Sequence, residues 1–403
     1  MPAHSADDPQ VADTTADTTA DWAATVWDVL VVGAGPAGSS AARTAAEGGA
    51  RVLLLDRAAF PRYKTCGGGL LGESLRLIPD AARATVESRV GDAVITSGFT
   101  RRMRLRSRTP YLAMVRRIEF DQALVAAAQA AGARFVDGVA VREISESVSL
   151  VTVRTTAGSV RARVVIGADG TGGRVGRYVG VVPGGVDLGL EDEIAMPADE
   201  TRWRDTVHLD WGGASGSYAW VFPKRESLTV GVIQRKGAPD ATRDYLAAWR
   251  AHLGLADATT LHSSGHLTQW RTDTSPLRRG RVIVAGDAAG LLEPWTREGI
   301  SFALRSGAWA GEAAAAAVRA PDPLDAYAAR IDAELGAEQR AGAVILRAFE
   351  QHRGLVHSLL RTRRGARYFV RFCRGDTTLA RFARHRWAMR IVRTLAGRSP
   401  AAR

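Results

Sequence analysis

The sequence predicts an α/β fold made of two closely associated domains and a helical C-terminal region. Residues 27–32 and 51–55 are short apolar runs that flank a glycine-rich turn and an alanine-rich helical stretch, which is typical of parallel strands buried on both faces. Residues 181–271 contain alternating segments, such as 227–233, that indicate a mainly antiparallel sheet. The pattern after residue 300 is predominantly helical.

The turn after the first strand carries a glycine fingerprint. It consists of five residues that follow the strand and open the helix: Gly33, Gly35, Pro36, Ala37 and Gly38. The first glycine makes the turn, the second lets the backbone approach a pyrophosphate, and the third lets helix and strand pack closely. The helix N-terminus offers free N–H groups to phosphates, and Asp56, which closes the second strand, is placed to accept hydrogen bonds from a ribose. A Rossmann-like dinucleotide-binding domain follows from this pattern.

Composition and charge limit where the protein is expected to work and what it is expected to bind. The chain has 403 residues and a formal net charge of +12, and residues 355–403 hold 13 arginines against one acidic residue, Asp376. Two cysteines encode no disulfide framework, and no uncharged apolar run of about 18 residues predicts a spanning helix. Residues 1–25 lack the features of a secretory signal and are predicted to be a disordered leader. We therefore expect a cytoplasmic protein.

Two further strand ends carry an aspartate beside glycines. Asp169 lies in the segment IGADG, and Asp287 follows Gly286 in VAGDA. Together with the fingerprint, these segments resemble the superfamily of FAD-dependent monooxygenases and reductases that includes hydroxybenzoate hydroxylase. The resemblance implies that FAD is the cofactor, that Asp287 bonds the ribityl chain, and that Arg117, in the pattern R-x-x-F-D, lies beside the flavin.

Two segments narrow the resemblance. Residues 60–70 read FPRYKTCGGGL, and residues 218–224 read YAWVFPK. They resemble the FPRxKxCGG and YxWxFP signatures of geranylgeranyl reductases, within a similarity that spans about residues 27–320. The resemblance implies an FAD-dependent reductase that saturates C=C bonds of a prenyl chain, either a geranylgeranyl group or a polyprenyl quinone tail such as that of menaquinone.

The first of these segments supplies the predicted catalytic residue, Cys66. We leave its role open between proton donor, redox partner and shape element, and the alternative is that it is a small buried hydrophobe. Arg62 and Lys64 are near enough in sequence to depress the pKa of a thiol. The glycines that follow would let the backbone approach the isoalloxazine ring. Cys66 is itself also predicted to bind the cofactor, together with Arg57, Arg62, Gly67 and Gly68.

The second segment supplies a predicted apolar wall. Tyr218, Trp220 and Phe222 alternate along a strand, so their side chains project to one face. A prenyl tail offers only apolar surface, and its site must be lined by aromatic and aliphatic groups. The alternative is that this stripe is simply the inner face of a packed sheet. Pro223 and Trp295 complete the predicted substrate-binding set.

Residues 293–300, EPWTREGI, depart from the P-x-T-G-E-G-I pattern of the family at one position. Arg297 stands where the family has glycine. Either the backbone there does not need a glycine conformation, or the arginine reaches the flavin or the substrate. Gly299 and Ile300 match the pattern and are predicted to bind the cofactor, with the Gly299 N–H donating to the flavin pyrimidine edge.

Arginines interleave with apolar residues over residues 355–395. A basic helix with an apolar face can lie on an anionic membrane surface, and the alternative is an arginine-coated helix packed on the body. Nucleic-acid binding is a third use of such charge, but no nucleic-acid motif accompanies it, and none is predicted. We expect peripheral contact with the inner face of the cell membrane through this region. No metal site is predicted, and the oligomeric state is left open.

The predicted domains are discontinuous. The FAD-binding domain comprises residues 26–88, 112–180 and 272–320, the substrate-binding domain 89–111 and 181–271, and the helical basic region 321–403. Because there is one dinucleotide fingerprint, NAD(P)H would have to dock transiently at the flavin, or an electron-carrier protein would replace it. The main functional alternative is a flavin-dependent monooxygenase or halogenase on the same fold. A non-catalytic FAD-bound membrane adaptor is a third hypothesis.

Overall fold

A computed structural model describes residues 19–213, 216–318 and 323–397 of the chain. The strands, in chain order, are β1 (Val26–Val32), β2 (Val52–Leu55), β3 (Gly69–Leu71), β4 (Val86–Val90), β5 (Asp92–Ser97), β6 (Thr100–Arg106), β7 (Leu112–Val115), β8 (Arg134–Val136), β9 (Val141–Glu146), β10 (Val151–Thr155), β11 (Gly158–Gly167), β12 (Pro183–Ala195), β13 (Thr206–Trp211), β14 (Tyr218–Pro223), β15 (Ser227–Arg235), β16 (Thr260–Arg271), β17 (Arg278–Arg279) and β18 (Val282–Val284).

The α-helices are α1 (Thr19–Ala24), α2 (Pro36–Glu47), α3 (Gly72–Leu77), α4 (Asp80–Arg83), α5 (Arg117–Ala130), α6 (Arg174–Val179), α7 (Pro239–Leu253), α8 (Ile300–Ala317), α9 (Pro323–Ile331), α10 (Ala337–Gln351), α11 (Arg353–Leu360), α12 (Arg363–Cys373), α13 (Leu379–Ala383) and α14 (Arg386–Leu395). None of the helices described is long and apolar enough to cross a membrane.

The first sheet has eight strands, and its path runs β17-β18-β11-β1-β2-β8. The strands from β18 to β8 are parallel, and β9 and β10 extend β11 as an antiparallel meander. Val32 at the end of β1 is in register with Leu55 of β2 and Gly167 of β11, and Gly167 pairs with Val284 of β18. The carboxyl ends of four strands therefore meet at one edge, where ligands of open parallel sheets bind.

The second sheet has seven strands in the order β16-β12-β15-β14-β13-β5-β6, and all its pairings are antiparallel except β13 with β5. Helix α7 covers one face through Trp249 and Leu253, which belong to the same apolar cluster as Val221 of β14. A small third sheet has the order β3-β7-β4. The predicted fold class is confirmed, while the domain boundaries stay predictions.

Helix α8 packs tightly along α2. A Cβ added to Gly307 would lie 2.1 Å from the Ala37 carbonyl oxygen, and one added to Gly311 would lie 2.4 Å from that of Ala41. The two glycines let the backbones approach more closely than any other residue type would permit. This contact fixes the start of α2, at the glycine fingerprint, against the helix that begins at Ile300.

The prediction of a disordered leader over residues 1–25 is wrong for its last part. Residues 19–24 form α1, and the side chain of Trp22 is 1% exposed within the core of the first sheet. The Trp22 carbonyl accepts a hydrogen bond of 2.9 Å from Trp27 Nε1. Burial of one tryptophan outweighs the polar composition that surrounds it. Residues 1–18 lie outside the described part of the chain.

Candidate active site

The glycine turn lies at the end of β1 and opens helix α2. Gly33 has a φ of +101°, and a Cβ there would lie 2.3 Å from the Ala168 carbonyl oxygen. A Cβ on Gly38 would lie 1.7 Å from the Gly33 carbonyl oxygen, so this glycine permits the close packing of helix on turn. Gly35 is the N-cap of α2 and provides no side-chain cap. The first N–H groups of the helix are therefore left for a ligand.

Asp56 is fixed beside this turn. Its Oδ2 accepts from the Ala34 N–H at 2.8 Å, and its Oδ1 accepts from the Ala58 N–H at 2.9 Å. Arg62 Nε lies 3.9 Å from Oδ2. The carboxylate of the second strand end is thus held at the edge of the turn, where a ribose attached to the bound pyrophosphate would lie.

Asp121 orients two arginines. Arg117 Nε and Nη2 bind its two carboxylate oxygens at 2.8 Å each, and Arg62 Nη2 lies 3.1 Å from Oδ2. The Asp121 and Arg117 side chains are 0% and 9% exposed. Burial alone would lower the pKa of Arg117, but Asp121 and Cys66 raise it above its ordinary value. Arg117 therefore stays charged in the position that the sequence predicts for a residue beside the flavin.

The other two strand-end aspartates differ in their surroundings. Burial raises the pKa of Asp287, and Lys64 and Arg117 act in the opposite direction. Asp169 Oδ2 accepts from the Val175 N–H at 3.0 Å, while burial raises the pKa of Asp169. Burial lowers the pKa of Lys64 to about 8. The nearby charge of Arg117 also lowers the pKa of Lys64, while Cys66 and Asp287 oppose the shift.

The CGG segment packs against the aromatic strand β14. A Cβ on Gly67 would lie 2.6 Å from Phe222 Cδ2 and 3.0 Å from Trp220 Nε1. The buried Lys224 ammonium donates to the Gly67 carbonyl. Contact with β14 thus restrains the conformation of the segment. A side chain at Gly67 would overlap the rings of β14, whether or not a flavin approaches the same backbone.

Cys66 is held by its main chain and its sulfur. Its N–H donates to Glu191 Oε1 at 2.7 Å, and its Sγ accepts from the Gly68 N–H at 3.4 Å. Glu191 Oε1 also accepts from the Tyr63 hydroxyl at 3.1 Å. Burial raises the pKa of Glu191. This carboxyl, which links the second sheet to the segment that carries Cys66, was not found by sequence reasoning, because its 125-residue separation from Cys66 leaves no local signal.

Tyr218, Trp220 and Phe222 follow one another along β14 with ring centroids 5.7 and 6.3 Å apart. The Tyr218 hydroxyl donates to the Thr296 carbonyl at 3.1 Å. The aromatic stripe therefore contacts the 293–299 loop at one end and the CGG segment at the other.

Arg297 contradicts the first of the two sequence interpretations, while contact with the flavin or the substrate stays a prediction for a residue that lines the cavity. Its φ is +58°, so the backbone keeps the left-handed conformation that favours glycine. Its Nε donates to Asp187 Oδ2 at 2.8 Å, Nη1 to the Trp295 carbonyl at 3.0 Å, and Nη2 to the Gly216 carbonyl at 3.1 Å. All three nitrogens thus bind acceptors of the chain itself. The arginine ties the loop to strand β12.

One cavity of about 820 Å³ joins these parts. It extends from the glycine turn past Cys66 to an apolar wall that includes Trp211 of β13. Helix α12 closes this wall with Phe369, Phe372 and Cys373. Sequence reasoning missed these residues: their spacing marks one face of a helix, but not what that face contacts.

Comparisons with known proteins agree with this geometry. Residues 26–334 match the family described as the FAD binding domain. The geranylgeranyl diphosphate reductase of Rhodobacter capsulatus is 31% identical over 321 residues, which cover 75% of this chain and 79% of that protein. The chain belongs to the geranylgeranyl reductase family of FAD-dependent oxidoreductases.

Solved structures share the fold of this reductase-family protein. A geranylgeranyl bacteriochlorophyll reductase-like protein from Thermoplasma acidophilum superposes with a TM-score of 0.75 and 21% identity, over 92% of this chain and 99% of that one. A flavin-dependent brominase superposes with a TM-score of 0.72 and 19% identity, over 92% and 98% of the two chains. At these identities the likeness concerns the fold alone.

The residues of this family member fit an FAD. A Cβ on Gly35 would meet only Arg62 Nη2, at 3.6 Å, so the backbone is open on the cavity side. Asp169 Oδ1, Thr171 Oγ1 and His266 Nε2 belong to residues that line the cavity and are buried without a hydrogen-bond partner among the described residues. Such atoms require a ligand or water. The cavity volume lies within the range of about 300 to 1,000 Å³ that is common for ligand sites.

Most predicted site residues of the reductase-family chain line this cavity, although their binding roles stay predictions. They are Gly33, Gly35, Pro36, Ala37, Asp56, Arg57, Arg62, Cys66, Gly67, Gly68, Arg117, Asp169, Tyr218, Trp220, Phe222, Asp287, Trp295, Gly299 and Ile300. Gly38, Gly286 and Pro223 do not line it. Gly38 packs on Gly33, a Cβ on Gly286 would lie 2.8 Å from Ala37 Cβ, and Pro223 is buried at the end of β14. Among the described residues, no group of His, Cys, Asp and Glu could hold a metal ion.

Proposed function

We propose that the protein is a reductase that uses FAD to saturate C=C bonds of a prenyl chain. The observation that carries the proposal is one continuous cavity, which joins the glycine turn to an aromatic wall. A prenyl tail can be recognised only by apolar contact. The wall formed by Tyr218, Trp220, Phe222 and Trp295 supplies such contact next to Cys66.

The substrates we propose are a geranylgeranyl group or the tail of a polyprenyl quinone such as menaquinone. The name of the Rhodobacter relative supports the first. The aromatic wall is compatible with both, because it contacts the tail and not the headgroup. The electron donor we propose is NAD(P)H, which would dock transiently, or an electron-carrier protein. We also propose that the protein works peripherally at the inner face of the cell membrane, where lipid substrates reside.

Bound FAD, once reduced, would supply the hydride for an alkene carbon. Gly33, Gly35 and Asp56 would hold its pyrophosphate and ribose, and Asp287 its ribityl chain. The other alkene carbon needs a proton, because an unactivated alkene is a poor hydride acceptor. Cys66 is the group we propose at this position, since its sulfur accepts from the Gly68 N–H and the residue lines the cavity.

The decisive experiment is anaerobic turnover of the FAD-loaded protein with chemically reduced flavin. Geranylgeranyl diphosphate and a menaquinone are offered, and products are analysed by mass spectrometry. Each saturated bond adds two hydrogens. Cys66→Ser is expected to bind FAD normally and to lower turnover. Absence of any saturated product with both substrates would overturn the proposal.

A flavin-dependent monooxygenase or halogenase is the second candidate, because a flavin-dependent brominase has the same fold. Those enzymes consume oxygen, whereas a reductase must suppress the reaction of reduced flavin with oxygen. Halogenases of this superfamily have W-x-W-x-I-P where this chain has Tyr218, Trp220 and Phe222 before Pro223. Strict oxygen dependence with an oxygenated or halogenated product would establish this candidate instead.

A further inference from the structure

Helix α14 presents an apolar pair to solvent. Trp387 and Ile391 lie one turn apart and are 72% and 54% exposed. The same helix buries Ala388 and Met389 against the body. Because α14 packs through its buried side, more than half of the surface of each exposed side chain is left without a contact in the chain. An exposed tryptophan beside an isoleucine is costly in water and is typical of a binding surface.

Unpaired positive charge surrounds this pair. Arg386, Arg390 and Arg393 of α14 are exposed. Within the described residues 355–397, the one arginine that pairs with a carboxylate is Arg374, which lies 3.6 Å from Asp376. The field of these guanidinium groups is therefore not neutralised locally, and it favours an anionic partner.

Helix α11 adds a second apolar pair near the end of α14. Leu355 and Leu359, also one turn apart, are 44% and 53% exposed. The Gln351 side chain, just before α11, donates to the Ala396 carbonyl at 3.1 Å, just after α14. The end of α10, which leads into α11, therefore contacts the end of α14. We call Trp387, Ile391, Leu355, Leu359, Arg386, Arg390 and Arg393 the tail surface.

Helix α12 lies between α11 and α14 in the chain and lines the cavity. Helix α12 packs beside α11, and its Phe369, Phe372 and Cys373 line the cavity wall. The helices that expose the apolar pairs thus belong to the same region of the chain that closes the proposed prenyl site. A lipid drawn from a bilayer would meet this region first.

We propose that the tail surface docks the protein on a bilayer that contains anionic lipids. Trp387, Ile391, Leu355 and Leu359 enter the interface between headgroups and acyl chains, and the arginines bind the headgroup phosphates. Apolar insertion and charge attraction act together, because neither alone holds a protein firmly on a membrane. Docking on a bilayer rests on the proposed function, because it gives access to a lipid substrate, but docking itself requires no turnover.

The test is flotation of the FAD-loaded full chain with vesicles of phosphatidylcholine alone or mixed with phosphatidylglycerol, without substrate. The protein is expected to float with the anionic vesicles and not with the neutral ones. The double variant Trp387→Ser/Ile391→Ser should lower the partition coefficient by about tenfold or more. Leu355→Ser/Leu359→Ser should lower it as well. High salt should weaken binding, because it screens the arginine contribution.

The matched control is Val148→Ser/Leu261→Ser, which removes two exposed apolar side chains elsewhere, 97% and 58% exposed. It should float like the native protein. Retained FAD absorbance shows that each variant is folded. Equal flotation of the Trp387→Ser/Ile391→Ser variant and the native protein overturns the proposal. So does binding to RNA that depends on the arginines but not on Trp387. If the protein floats with anionic vesicles but reduces no prenyl chain, the docking proposal stands and the proposed function is refuted.

Discussion

Replacement of Arg297 by glycine would restore the residue found in the family pattern and yet should destabilise this protein. The Arg297 and Asp187 side chains are 5% and 1% exposed. Removing one partner of a buried ion pair costs about 3 to 5 kcal/mol, because the other charge is left uncompensated. Glycine recovers about 1 kcal/mol or more of backbone strain at the positive φ. The free energy of unfolding should therefore fall by about 2 to 4 kcal/mol.

The loss should depend on pH. Burial raises the pKa of Asp187 and Arg297 opposes this shift, so removal of the arginine raises the folded-state pKa further. A carboxyl with a raised folded-state pKa favours the folded state at low pH, and that contribution is lost as the pH rises through this pKa. The deficit of Arg297→Gly relative to the native protein should therefore be smaller near pH 4 than near pH 8.

Chemical denaturation of the FAD-loaded protein at both pH values measures these quantities. The double variant Arg297→Gly/Asp187→Asn should recover part of the loss, because no buried charge remains, with a coupling energy of about 1 to 3 kcal/mol. Arg297→Lys should be intermediate, since lysine keeps the charge and lacks the forked contacts to the Trp295 and Gly216 carbonyls. If Arg297→Gly is as stable as the native protein at pH 8, the reasoning is refuted.

Three further predictions concern residues that line the cavity, Gly67, Gly35 and Lys64. Gly67→Ala should lower the free energy of unfolding by about 1 to 3 kcal/mol in the same denaturation assay, because its Cβ would overlap Phe222. The control Gly213→Ala should have little effect, because a Cβ there meets nothing within 4 Å. Gly35→Ala should leave the melting temperature of the apo-protein unchanged. It should weaken FAD binding about tenfold or more in a flavin-fluorescence titration, because the methyl group would occupy cavity space. Unchanged affinity would contradict the proposed pyrophosphate position. Lys64 lines the cavity, and its positive charge should attract the FAD phosphates. FAD affinity, measured by the same titration, should therefore fall as the pH rises through about 8, where Lys64 loses its charge, and Lys64→Met should remove this dependence.

The part of the site that sequence predicts well is encoded in contiguous residues. The run from Gly33 to Gly38 specifies strand, turn and helix together, and each glycine meets a neighbour that would exclude a side chain, except Gly35, which faces the cavity. Asp56, Asp169 and Asp287 follow apolar strands, and parallel strands bring their carboxyl ends to one edge. These positions follow from chain-local chemistry and from the rule that governs ligand sites in parallel sheets.

The parts that sequence did not predict depend on pairs that are distant along the chain. The bond between Arg297 and Asp187 joins residues 110 positions apart, and neither position carries a pattern that identifies the other. Phe369 and Phe372 lie on a strongly amphipathic helix, so a buried face could be expected, but the cavity behind it could not. Trp22 shows the converse: one large apolar side chain, buried in the core, orders a segment whose composition is that of a leader.

The two segments that resemble the family signatures form a single contact. Gly67 and Gly69 lie against Phe222, and the Lys224 ammonium, just after the aromatic strand, donates to the Gly67 carbonyl. A side chain added on the glycine side would collide with the ring, and loss of the ring would leave a void beside the glycines. The two motifs therefore depend on each other physically: the strand that forms the proposed prenyl wall also sets the backbone position of Cys66. The proposed substrate contact and the position of the proposed proton donor therefore depend on the same junction of four residues, Gly67, Gly69, Phe222 and Lys224.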